Sequence, residues 1–174
     1  MSNFALEIFD DEGSKCVFYT VVIDGEEISE TEKFFVKFFN MPELKSYASE
    51  LASFLTKTIG EKRGAIDSFF RDERKAHALP PNPNIEIEEI SILDNFPLRL
   101  YCLRISQSCV ILFNGAEKTS QAAQDGATSM SFHDANIYAD RILKAFADND
   151  IKLCEKKREI LDYYENTKIT EILF

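Results

Sequence analysis

Hydrophobic and polar residues alternate over residues 4–9, where Phe4, Leu6 and Ile8 share one face. Period-two alternation of this kind marks a half-buried strand. Asp10-Asp11-Glu12-Gly13-Ser14 reads as a turn. The next run, 16–23, is apolar on both faces, with Val17, Tyr19 and Val21 on one and Phe18 and Val22 on the other. The pair predicts a hairpin whose second strand is covered on each side. Asp24-Gly25 closes it. Ser29-Glu30-Thr31-Glu32 fits a capping box and starts a helix. Phe34, Phe35, Phe38 and Phe39 then recur at helical spacing as a core-facing stripe.

Pro42 opens a second predicted helix, with Leu44, Tyr47, Leu51, Phe54 and Leu55 on its apolar face and Gly60 as its breaker. A third helical stretch is expected over 61–78. Its cluster Arg71-Asp72-Glu73-Arg74-Lys75 mixes signs as a solvated face does. Leu79-Pro80-Pro81-Asn82-Pro83-Asn84 is linker-like. Strands are expected over 85–93, 98–105 and 109–113, with turns at Asp94-Asn95-Phe96-Pro97 and at Asn114-Gly115. Residues 119–130 read as a loop, Ser131-Phe132-His133-Asp134 as a cap, and 135–147 as a helix. Ile151, Cys154, Leu161 and Tyr164 suggest one more helix, and 168–174 a weak terminal strand. The fold class expected is α+β: an antiparallel sheet, made of the N-terminal hairpin plus a three-strand meander, packed against helices.

Composition narrows the function. With 174 residues and 45% hydrophobic content, the chain suits a single domain with a real core. Its net charge of −10 opposes broad nucleic-acid binding and docking on an anionic membrane. No run approaches a membrane span and the N-terminus has no leader pattern, so a cytoplasmic location is expected. Cys16, Cys102, Cys109 and Cys154 form no C-x-x-C pair and read as small buried hydrophobes. Nucleotide-loop, zinc-helix and nucleophile-elbow motifs are absent, and no cofactor or metal is expected. His133 reads as a helix-start residue.

Local charge singles out one region. From Phe96 to Ala123 the cations Arg99, Arg104 and Lys118 stand against Glu117 alone, on a chain that is otherwise strongly acidic. Strand alternation puts Arg99, Tyr101 and Leu103 on one face and Leu98, Leu100, Cys102 and Arg104 on the other. A cation beside a tyrosine can hold a phosphate and stack a base. The two arginines can equally pair with Glu86, Glu88 or Glu89 across the sheet.

The segment PLRLYCLRI followed by VILFNGAEK resembles the RelE/HigB/ParE superfamily of small toxins, in its phage-associated HigB-like branch. The resemblance covers roughly residues 85–120 plus a trailing helix. It implies a RelE-like core over about 30–165, with hairpin 4–23 ahead of it and a C-terminal extension. It also implies metal-independent mRNA cleavage, in which the RNA 2′-OH attacks the adjacent phosphate. On this chain the implied site is Arg99, Arg104 and Lys118 as cations, with Tyr101 for stacking or proton transfer. The implied partner is an antitoxin, with a homodimer as the alternative. RNA or the ribosome as target is disfavoured by the charge of −10. The competing expectation is a non-catalytic interaction module on the same fold.

Overall fold

A computed structural model describes residues 2–83, 95–118, 129–156 and 158–168. Strands β1 (Phe4–Asp10) and β2 (Val17–Ile23) form the expected antiparallel hairpin. Next come helices α1 (Glu30–Phe39) and α2 (Lys45–Ser53), then strands β3 (Arg71–Glu73), β4 (Ala76–Leu79), β5 (Leu98–Ser106) and β6 (Cys109–Glu117). The six strands make one sheet in the order β1-β2-β6-β5-β4-β3. Helix α3 (Ser129–Ala147) and a small hairpin of β7 (Ile151–Cys154) and β8 (Glu159–Asp162) complete the described chain. The α+β class and the sheet flanked by helices are borne out. One junction, β2 with β6, is parallel. A long crossover lies between these two strands, and only such a connection lets neighbours run the same way.

The sheet separates two cores. Phe4, Val17, Tyr19, Tyr101, Ile111 and Phe113 meet α3 and the β7–β8 hairpin on one side. Phe18, Leu98, Leu100, Cys102, Val110 and Leu112 meet α1 and α2 on the other. The two-faced apolar run in β2 is thus covered on both sides, as expected.

Helix α1 begins where the capping box puts it, with the Glu32 N–H donating to Ser29 Oγ at 3.1 Å. Phe34, Phe35 and Phe38 are buried, whereas Phe39 reaches the surface. Helix α2 begins at Lys45, after Pro42 has passed through a turn. Gly60 does not break it. The chain continues as a π-helix over Phe54–Arg63 and stops at Gly64, whose φ of 76° suits glycine. Gly60 instead receives the turn after β1, where a Cβ on Gly13 would sit 2.2 Å from the Gly60 carbonyl oxygen. Its carbonyl accepts from Lys15 N and Cys16 N at 2.8 and 3.2 Å.

Other expectations are corrected. Residues 61–78 are not one helix. After Gly64 they form a 3-10 turn and the β3–β4 hairpin, with Arg74 at φ 67° in its bend. Charges at mixed spacing fit a strand edge as well as a helix face, and here Ala76, Ala78 and Leu79 bury one strand of the hairpin. The linker-like stretch begins inside the sheet, where Leu79 of β4 pairs with Leu100 of β5. Residues 151–164 form a second hairpin, flanked by Asn149 at φ 61° and bent at Arg158 at φ 58°. Helix α3 starts at Ser129, so the expected cap at 131–134 lies inside it. The strand expected over 85–93, most of the loop 119–130 and nearly all of the segment 168–174 lie outside the described residues.

Asn114-Gly115 lies within β6 and is not a turn; Asn114 and the preceding Phe113 form a bulge opposite Tyr101. Leu100 faces Gly115 while Cys102 faces Leu112, so β6 carries one extra residue. Bulges and turns recruit the same residue types, which is why the pattern misleads. The Phe113 carbonyl at the bulge accepts from Thr31 Oγ1 at 3.0 Å, and Thr31 also bonds Thr20 Oγ1 at 2.7 Å. Asn114 Nδ2 donates to Glu30 at 3.1 Å. These buried bonds tie the start of α1 to β2 and β6.

A Cβ at Gly115 would sit 1.9 Å from the Arg99 carbonyl oxygen and 2.9 Å from the Phe34 ring. Gly115→Ala should therefore destabilise the chain by about 3 kcal/mol, the upper part of the usual overpacking range. Gly25→Ala, at φ 86° with nothing nearby, should cost only about 1 kcal/mol. Urea unfolding of both variants decides, and equal losses would refute the close approach at Gly115.

Candidate anion-binding site

The backbone of β5 distributes three of the four sequence-predicted residues. Arg99 and Tyr101 project to the α3 side, whereas Arg104 projects to the other. Arg99 and Arg104 are five residues apart, about 17 Å along a strand. They do not share a site. Arg104 Nε donates to the Ala65 carbonyl at 2.6 Å and its guanidinium lies 3.8 Å from Asp67. It pins the connection between the π-helix and β3. Tyr101 is fully buried, edge-on to Phe132 of α3 at 6.2 Å between ring centres. A ring in that position packs the core and offers no face to a base.

Arg99 and Lys118 do come together, and with a residue the sequence had placed on a helix surface. Arg71 pairs with Ala78, which pairs with Tyr101, so Arg71 faces the α3 side along with Arg99. Glu73 is two residues on and faces the same way. Arg71 is held by Nε donating to the Pro80 carbonyl at 2.8 Å and Nη2 to the Pro81 carbonyl at 3.3 Å. Arg99 is only 5% exposed and its Nη1 donates to the Leu98 carbonyl at 3.1 Å. Lys118 follows β6, and its N–H donates to the Pro97 carbonyl at 2.6 Å. Helix α3 steadies the hairpin that carries Arg71 and Glu73, since Asn136 Oδ1 accepts from both Lys75 N and Ala76 N.

The electrostatics follow from this crowding. Burial pushes the Arg99 guanidinium down to about 10, and nearby Arg71 pushes the same way. Lys118 is lowered by burial and by Arg99 and Arg71, and Arg71 by burial. Glu73 is the one carboxylate, among the described residues, whose charge offsets all three cations. Burial raises Glu73 from its ordinary value, and Arg99 and Arg71 oppose that rise. Three cations against one half-buried carboxylate leave an excess of positive charge around the nearly buried Arg99 guanidinium. An anion with several oxygens would relieve it. Glu86, Glu88 and Glu89, the alternative partners, lie outside the described residues.

Other chemistry finds little footing. Burial pushes the Cys16 thiol up to about 12 and raises those of Cys102 and Cys109 as well, which makes them poor nucleophiles. Among the described residues no cluster of His, Cys, Asp or Glu could hold a metal ion, and no helix is long and apolar enough to cross a membrane. No protein-family model, curated protein or solved structure matches this chain. Arg71 and Glu73 escaped the sequence reading because their charges suited a helix face. Their i, i+2 spacing just before Ala76-His77-Ala78 was the strand signal available.

His77 locks the Arg104 end of the sheet. Its Nδ1 accepts from the Arg104 N–H at 3.2 Å, which requires an unprotonated nitrogen there. Burial lowers the His77 pKa, and Arg104 adds to this while Asp72 opposes it. The folded chain therefore resists a proton that the unfolded chain accepts below the ordinary value of 6.5. Stability from this group is complete above about pH 6.5 and declines as pH falls through that value. His77→Gln, which can still accept the bond, should flatten the decline between about pH 7 and 5 in denaturant unfolding. Parallel curves for the two proteins would reject the assignment.

Proposed function

We propose that this chain is a non-catalytic binding module whose α3-side cluster of Arg71, Arg99 and Lys118 takes a phosphate-bearing ligand. One observation carries the reading: three cations share a face around a nearly buried guanidinium, with Glu73 the one carboxylate among the described residues that offsets them all. Arginine forks suit the edge of a phosphate, and a lysine adds a mobile point charge. Catalysis needs more than charge, and the tyrosine that would stack or transfer a proton is packed in the core.

A second reading keeps the toxin-type activity implied by the resemblance to RelE/HigB/ParE proteins. Its support is that Arg99 and Lys118, two of the cations in that pattern, converge. Against it stand the burial of Tyr101, the separation of Arg104 and the charge of −10.

Calorimetric titration with pyrophosphate in low salt tests the binding reading. The wild-type chain should bind. Lys118→Gln and Arg71→Gln should each weaken binding about tenfold, as loss of a charge-assisted bond does. Glu73→Gln should strengthen binding, since it removes the opposing charge. Failure to bind, or indifference to all three substitutions, would overturn the reading. Induced expression separates the alternative: growth should continue unaffected, whereas arrest relieved by Lys118→Gln would favour the toxin.

A further inference from the structure

The opposite side of the molecule carries a second surface that owes nothing to the cation cluster. Between α1 and the end of α2 runs an open groove of about 360 Å³. Its floor and walls are Phe9, Phe35, Val36, Phe39, Ala52 and Leu55. Val36 is 48% exposed and Phe39 36%, on a helix whose other phenylalanines are buried. Asp10 and Glu32 stand on the rim. The groove runs on through Asp10 and Thr56 into a polar hollow of about 400 Å³, where Glu12 and Glu61 face Lys57 and Lys62. One wall belongs to the π-helix, which supplies Leu55 and Thr56. π-helical turns are rare and frequent at functional sites.

We infer that this groove is the docking site for a basic amphipathic helix of a partner protein. An apolar trough between two helices accepts apolar anchors at i, i+3, i+4 and i+7 spacing. The acidic side chains on its rim and in the adjoining hollow outnumber the lysines. Lysine or arginine on the flanks of the incoming helix complements them, and the chain's overall charge of −10 steers such a partner inward. A second copy of this chain would bring the same acidic groove and the same net charge, so self-association there is opposed.

The test uses the full chain and two designed helical peptides of about 16 residues, roughly four turns. Both carry the same leucine and phenylalanine stripe. One is flanked by lysine and arginine, the other by glutamate. Fluorescence anisotropy should show the basic peptide binding at least about tenfold more tightly than the acidic one. Val36→Glu should weaken the basic peptide about tenfold or more, with an unchanged thermal unfolding curve because the position is half exposed. Glu32→Lys should narrow the difference between the peptides. Lys118→Gln should change neither, which keeps this test separate from that of the anion site. Equal affinity for both peptides, binding of neither, or indifference to Val36→Glu overturns the proposal. Light scattering that shows a dimer abolished by Val36→Glu would assign the groove to a second copy instead.

Discussion

Burial of the central strands on both faces is the constraint from which the rest follows. β2, β5 and β6 each send alternate side chains into two separate cores. A strand covered on one side tolerates polar residues on the other. These strands have no such freedom over most of their length, and each core must be filled by its own helices. Fully burying one large apolar side chain is worth about 1.5–3 kcal/mol, so the eight such residues along β5 and β6 dominate the local energetics. The consequence for function is direct. Polar chemistry is driven to the ends of these strands, where the sheet runs out, and that is where Arg99 and Lys118 are found.

The same constraint explains the bulge. Helix α1 must approach β6 closely enough for Phe34 to reach the Gly115 backbone. The extra residue in β6 breaks the regular ladder, and the hydroxyl of Thr31 satisfies a carbonyl at the break. Asn114 turns to Glu30, whose other oxygen meets Lys33 at 2.5 Å. A helix N-terminus, a bulge and a buried carboxylate thus form one hydrogen-bonded unit. That unit sets the position of residues 115–118, and hence of Lys118 relative to Arg99.

Where one physical signal dominated, the sequence was readable. The first hairpin, the capped start of α1, and β5 with β6 all show clean periodicity or a cap, and all were anticipated. Residues 71–75 and 151–164 were misread for a shared reason. In both, charged and apolar residues fall at spacings that suit a helix, while the strands are only three or four residues long. So short a strand offers too few alternations to be told from a helical turn, and its identity comes from the neighbour it pairs with. The site was half legible on the same terms. A charge count isolated Arg99 and Lys118 because they lie on or directly after long strands. Arg71 and Glu73 reach them only through the pairing of β3 with β4 and β4 with β5, which is non-local. Alternation along β5 already separated Arg104 from Arg99, and the structure turns that separation into a different role for Arg104.

The charge distribution decides what kind of anion can use the cluster. The cations lie on a surface whose wider field is negative, since the chain carries −10 overall. At ordinary ionic strength fields decay over about 8–10 Å, so a small phosphate group seated between Arg71, Arg99 and Lys118 feels mainly those three charges. A long polyanion extends past that range and meets the acidic surroundings along most of its length. On the proposed reading, the same cluster would favour a compact phosphate over an extended RNA backbone. Selectivity of this kind comes from the placement of the cations in an acidic frame and requires no contact specific to the ligand.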